Sequence, residues 1–174
     1  MSGAEVSGNT VPGVFPPKSK EYWGPKIWRL FHLLTEVSDR NDVLLIWKQW
    51  IRQTGEIMPC EKCRYHLRQY LRLHPFMTFK DPAKHNGAKT RDYIRSELMT
   101  LHNDVNKRTG KPKFSAAQYE ETYSKGTKQE ILLEAKSLMS ELDAALVSLD
   151  CMKLKMGEYH AWKNSYALLL ALVQ

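Results

Sequence analysis

The amino-acid sequence predicts an all-α protein: a four-helix bundle with a short fifth helix, continued by a helical C-terminal extension. Three observations lead there. Apolar residues recur three and four positions apart in one segment after another, which places them on one face of a helix. Gly, Pro and Asn, the residues that stop helices and form turns, separate those segments. No apolar–polar alternation is sustained enough for a strand, and no repeat of roughly 20–50 residues marks a solenoid.

Taken in order, residues 1–20 contain Gly3, Gly8, Gly13, Pro12, Pro16 and Pro17 with little periodicity, and read as a flexible tail. A first helix begins at Glu21 and carries Ile27, Phe31 and Leu34, with Trp28 and His32 beside them as an i, i+4 pair. A second carries Val43, Trp47, Trp50 and Ile51 and should stop near Gly55. A third starts after Pro59, runs through Cys63, Leu67 and Leu71, and ends before Pro75, because the residue preceding a proline avoids the helical region. Lys80 to Lys89, with Pro82 and Asn86-Gly87, reads as a loop. The fourth helix aligns Ile94, Leu98, Leu101 and Val105 and closes at Gly110-Lys111-Pro112. Ala116 to Tyr123 is a short helix.

Residues 127–150 follow a different pattern. Ile131, Ala135, Leu138, Leu142, Ala145 and Leu149 form a heptad-like seam too short for a dedicated coiled coil. A final helix runs from Glu158 to Val173, with Trp162, Tyr166 and Leu169 on one face. Surfaces this apolar must pack on the preceding helices or on a second subunit. The expected organisation is a tail (1–20), a functional domain (21–125) and an extension (126–174).

The longest apolar run, Ala167 to Val173, is far short of the ~20 residues of a membrane helix. No basic segment followed by an apolar stretch opens the chain, so a cytosolic compartment is expected. The formal net charge of +7 would suit nucleic acid or an acidic partner. The cations are scattered from Lys18 to Lys163 among acidic residues, however, and read as a solvated basic surface rather than a nucleic-acid site.

With three cysteines, Cys60, Cys63 and Cys151, the chain is no disulfide-stapled scaffold. Met58-Pro59-Cys60-Glu61-Lys62-Cys63 instead sets a Cys-x-x-Cys at a helix start, where the helix dipole stabilises a thiolate, the reactive species in thiol–disulfide exchange. Other readings compete. Zinc could take Cys60, Cys63 and His66, but needs a fourth ligand from far away. A thioredoxin-like domain needs a βαβ pattern, haem attachment needs a histidine where Arg64 stands, and a purely structural disulfide would close too small a loop to stabilise much. A helical redox or zinc-binding interaction module, and a basic nucleic-acid adaptor, stand as alternatives to an enzyme.

The fourth helix makes the motif specific. His102-Asn103-Asp104-Val105-Asn106, followed by Gly110-Lys111, closely resembles the H-N-x-V-N-x-x-x-G-K segment of the Erv/ALR family of flavin-linked sulfhydryl oxidases. Trp28 to His32 is similar to that family's W-x-x-x-H, and Pro59-Cys60-Glu61-Lys62-Cys63 lies between the two, in the family's order. The Trp23-Gly24-Pro25 opening and the short form look most like the members encoded by large cytoplasmic DNA viruses.

The resemblance implies a thiol oxidase that makes disulfides in protein substrates through Cys60 and Cys63 and passes electrons through FAD to oxygen, releasing hydrogen peroxide. Cys60 would be the outer thiol and Cys63 the one against the flavin. The implied FAD contacts are Gly24, Lys26, Trp28 and His32 from the first helix, then Met99, His102, Asn103, Val105 and Asn106 from the fourth. Lys111 would meet a phosphate, and Tyr123 would replace a family tryptophan. Further implications are a thiol-bearing protein or thioredoxin-like partner, a homodimer, and a place in host cytoplasm or virion. A disulfide that brackets the H-N-x-V-N segment in cellular relatives is replaced here by Met99 and Ala116, and Val37 and Ser38 stand where an aromatic is common. No cysteine is present in the tail for a shuttle pair.

Overall fold

The computed structural model describes residues 19–75, 87–153 and 155–174. Among them lie eight helices and no strand: α1 (Lys20–Glu36), α2 (Val43–Ile57), α3 (Glu61–Leu73), α4 (Ala88–Arg108), α5 (Ala116–Tyr123), α6 (Lys128–Val147), α7 (Asp150–Lys153) and α8 (Met156–Val173). The all-α expectation holds.

Several boundaries differ from the sequence reading, each for a local reason. Helix α2 passes through Gly55 because this glycine is a packing residue: a Cβ there would lie 3.3 Å from Leu67 Cδ2 of α3. Gly87, at φ 60°, starts α4 directly, so Ala88 and Lys89 are helical rather than loop. The rest of the expected loop, like residues 1–18 of the expected tail, lies outside the described residues, while Lys20 is already helical. Helix α8 starts two residues before Glu158. Leu149 is buried but falls beyond the end of α6, just ahead of the single turn α7, which periodicity did not indicate. Gly110, at φ 69°, occupies the left-handed position past the C-terminus of α4 that favours glycine.

Helices α1 and α2 are the centre around which the others assemble. Phe31 meets Trp50 edge-on with ring centroids 4.8 Å apart, and Trp47 donates its Nε1–H to Ser38 Oγ at 2.9 Å. Helix α3 packs on α2, and α4 and α5 pack on α1. The C-terminal helices cover the remaining faces, α6 against α1 and α8 against α2. Trp162 of α8 is fully buried 6.0 Å from Trp50, and its Nε1–H donates to Thr54 Oγ1 at 2.9 Å, so the indole is both packed and satisfied. Lys26 and Arg29 of α1 pair with Glu141 and Glu134 of α6. No helix among the described residues is long and apolar enough to cross a membrane.

Candidate active site

Cys60 caps the N-terminus of α3 with an extended backbone, and its Sγ accepts a hydrogen bond from the Cys63 N–H at 3.1 Å. The two cysteines are disulfide-bonded, with Cα atoms 5.1 Å apart, and both are half-buried against the core. An N–H at a helix N-terminus aimed at a sulfur is the arrangement that favours its thiolate once the bond is reduced. Arg64 secures the approach to the pair: its Nη1 donates to the carbonyls of Met58 at 2.6 Å and Pro59 at 3.3 Å. In the disulfide form neither sulfur is a thiolate, and His66, the third residue of the zinc reading, lies on the same helix.

A second assembly lies where α1, α4 and α5 meet. Trp28 and His102 stack with ring centroids 4.2 Å apart and planes within 6°, and His32 extends the stack from Trp28 at 18°. His32 Nε2 and His102 Nδ1 share a hydrogen bond at 3.0 Å. One ring must donate and the other accept, so both cannot be protonated there. Burial first, and the neighbouring His102 second, hold the His32 pKa down at about 3. Burial and then the charge of Lys111 lower that of His102 to about 4. Both rings are neutral at pH 7. Tyr123 closes on His32 at 4.9 Å, beneath the Arg29 guanidinium.

The loop after α4 is clamped onto this wall. Asn103 donates to the Phe114 carbonyl at 3.0 Å and accepts from the Phe114 N–H at 2.7 Å, and Asn106 donates to the Pro112 carbonyl at 3.2 Å. Sequence spacing put His102, Asn103 and Asn106 toward one ligand; the fold gives the two amides a first task, holding Phe114 5.2 Å from His102. Among the described residues each amide has one donor position left over. Met99 and Val105 are half-buried on α4, Gly24 has open space where a Cβ would stand, and Lys111 is exposed. Lys26 is already engaged by Glu141 at 2.5 Å.

Four participants were not singled out by the sequence: Phe114, Tyr119, Glu36 and Arg95. Phe114 lies in an extended segment where helical periodicity is silent. Tyr119, fully buried, donates to Glu36 Oε1 at 2.7 Å, and Arg95 braces Glu36 from α4 at 2.9 Å. The i, i+4 relation of Tyr119 to Tyr123 was the available signal.

The chemistry of these groups suits FAD. His32 Nδ1 is buried with no hydrogen-bond partner among the described residues, beside stacked conjugated rings. An orphaned imidazole nitrogen is costly unless a ligand satisfies it, and flat rings favour a planar heteroaromatic partner.

Fold and site together define an all-helical redox protein: a disulfide at a helix N-terminus and a ring-lined wall set between helices. The chain matches the Erv1 / Alr family over residues 25–124 and belongs to that family. Among its relatives, the FAD-linked sulfhydryl oxidase of African swine fever virus (isolate Pig/Kenya/KEN-50/1950) is 34% identical over 109 residues, covering 59% of this chain and 80% of the relative. The protein of the same name from the Tick/Malawi isolate matches to the same extent. A putative FAD-linked sulfhydryl oxidase of Frog virus 3 is 27% identical over 106 residues, covering 58% of this chain and 63% of the relative. No solved structure matches the chain significantly.

Proposed function

We propose that this chain is an FAD-linked sulfhydryl oxidase that introduces disulfides into dithiol proteins through Cys60 and Cys63. The observation that carries the reading is the Cys60–Cys63 disulfide seated at the N-terminus of α3. A substrate thiolate attacks Cys60 Sγ, the S–S bond breaks, and Cys63 leaves as a thiolate. The substrate's second thiol, once deprotonated, attacks the mixed disulfide, and Cys60 leaves. The Cys63 N–H stabilises that departing sulfur, and a lower leaving-group pKa speeds exchange. The substrate has then lost two electrons and gained one disulfide, and the pair is reduced. Bound FAD supplies the two-electron acceptor that reoxidises the pair, with oxygen as final acceptor and hydrogen peroxide as product.

Trp28, His32 and His102 would hold the planar part of FAD, with Tyr123 beside them. Asn103, Asn106, Gly24, Met99 and Val105 would line its surroundings, and Lys111 would meet a phosphate as an exposed ion pair contributing only ~0–1 kcal/mol. Lys26 would have to leave Glu141 to take part. We assign residues 21–125 to the functional domain and 126–174 to the extension. A homodimer would have to form through surfaces other than the α1 and α2 faces that α6 and α8 cover. Host cytoplasm or virion is the compartment we assign, in line with the viral relatives.

The test is the purified protein's absorbance near ~450 nm together with oxygen uptake on adding a dithiol. Cys60→Ser and Cys63→Ser should each abolish turnover while retaining bound FAD. Full activity in either variant, or no flavin binding by the unmodified protein, would sink the assignment.

A further inference from the structure

Two rows of cations face one groove on the helix pair that carries the disulfide. Helices α2 and α3 pack on each other through the Met58-Pro59-Cys60 connection, and between them lies an open cavity of about 480 Å³. Lys48, Arg52 and Glu56 line it from α2, at the i, i+4, i+8 spacing of a single helix face; Arg68 and Arg72 line it from α3. Leu71 and Pro75 give it an apolar end. Four cations thus share one carboxylate, and Arg68 already pairs with Glu56. Among the described residues Arg72 bonds the neutral Gln69, and neither Lys48 nor Arg52 has a carboxylate partner. Some cations elsewhere on the surface do have carboxylate partners, as in Arg40–Asp42, Arg108–Asp104 and Lys163–Asp143. Like charges gathered without counter-charges repel one another, and an anionic occupant relieves that repulsion.

The groove's position says what the occupant is. Arg68 and Arg72 lie about 7 and 13 Å beyond Cys63 along the axis of α3, at roughly 1.5 Å per residue. Tyr65, 59% exposed, lies on the face of α3 that carries Arg68, at i, i+3, and falls between Cys63 and Arg68 along the helix axis. We infer that the α2–α3 groove docks an acidic segment of the dithiol protein substrate, with Tyr65 packing beside it and the substrate cysteines delivered to Cys60. This rests on the oxidase reading. The scattered cations of the sequence become a directed surface only when α2 and α3 meet.

Two fluorescent peptides carrying the same Cys-x-x-Cys, one flanked by glutamates and one by glutamines, test the inference on the FAD-loaded full chain. At low salt the acidic peptide should show a KM lower by about tenfold with similar kcat, and salt at about 0.5 M should erase the difference. Arg52→Gln/Arg72→Gln should remove the preference and leave dithiothreitol turnover unchanged; Lys48→Gln/Arg52→Gln serves if that pair fails to fold by circular dichroism. Equal KM values for the two peptides, or a preference that persists in the variants, overturns the inference. So does a single-stranded oligonucleotide that displaces the acidic peptide and loses its own binding in the variants, which would make the groove a nucleic-acid surface. Absence of dithiothreitol turnover would count against the oxidase reading alone. Fluorescence anisotropy with serine-substituted peptides then still reads the groove, with acidic-over-neutral binding required.

Discussion

At the scale of single residues, the His32–His102 pair couples site chemistry to stability. Two imidazoles sharing one hydrogen bond inside the protein stay neutral because burial penalises the charge. Their ordinary pKa is 6.5, against about 3 and about 4 when folded. Below pH 6.5 the unfolded chain therefore binds more protons than the folded one, and stability falls as pH falls toward the folded values. The stabilisation is complete above pH 6.5 and is lost at roughly 1.4 kcal/mol per pH unit for each histidine once the pH is well below it. Urea midpoints of the chain without added cofactor should therefore be lower at pH 5 than at pH 7, with a smaller gap in His102→Gln. Identical midpoints would show that the pair is not buried as a neutral unit.

At the scale of elements, the fourth helix and the loop after it act as one piece. Asn103 satisfies both backbone groups of Phe114, Asn106 holds Pro112, and Gly110 turns the chain between them. Asn103→Ala should leave those groups unpaired at a cost of about 1–3 kcal/mol and let Phe114 drift from His102. The expected outcome is a lower melting temperature together with weaker FAD retention; retention unchanged by the substitution would separate the clamp from the site. Capping boxes at Ser115–Gln118 and Thr127–Glu130 start α5 and α6, which lets short sequence separations reverse the chain without long loops.

At the scale of the whole molecule, α6 and α8 replace solvent on the outer faces of α1 and α2. Trp162 is fully buried against Trp50, and Trp→Ala changes in a core cost about 3–5 kcal/mol. Truncation after Lys125 should therefore lower the melting temperature sharply or drive association through the uncovered faces. Cys151→Ser should leave turnover and stability intact, since that thiol is exposed and unpaired. A truncated protein as stable as the full chain, with the same mass in solution, would show that the extension is not structural.

Periodicity by itself determined the helical class and the approximate course of each main helix, because apolar residues three and four apart can face one core only in a helix. The cysteine pair was legible as chemistry for the same local reason: two residues of spacing at a helix start suffice to form the bond. Only the tertiary structure decided what the other residues touch. Gly55 read as a stop and is a contact with Leu67, and Asn103 read as a ligand group and also clamps Phe114. The seam of α6 could have served a second subunit and instead lies on α1. Scattered cations became a groove when α2 met α3. Each of these depends on residues far apart in the chain, and short-range spacing carries no information about which distant surface arrives to meet a given face.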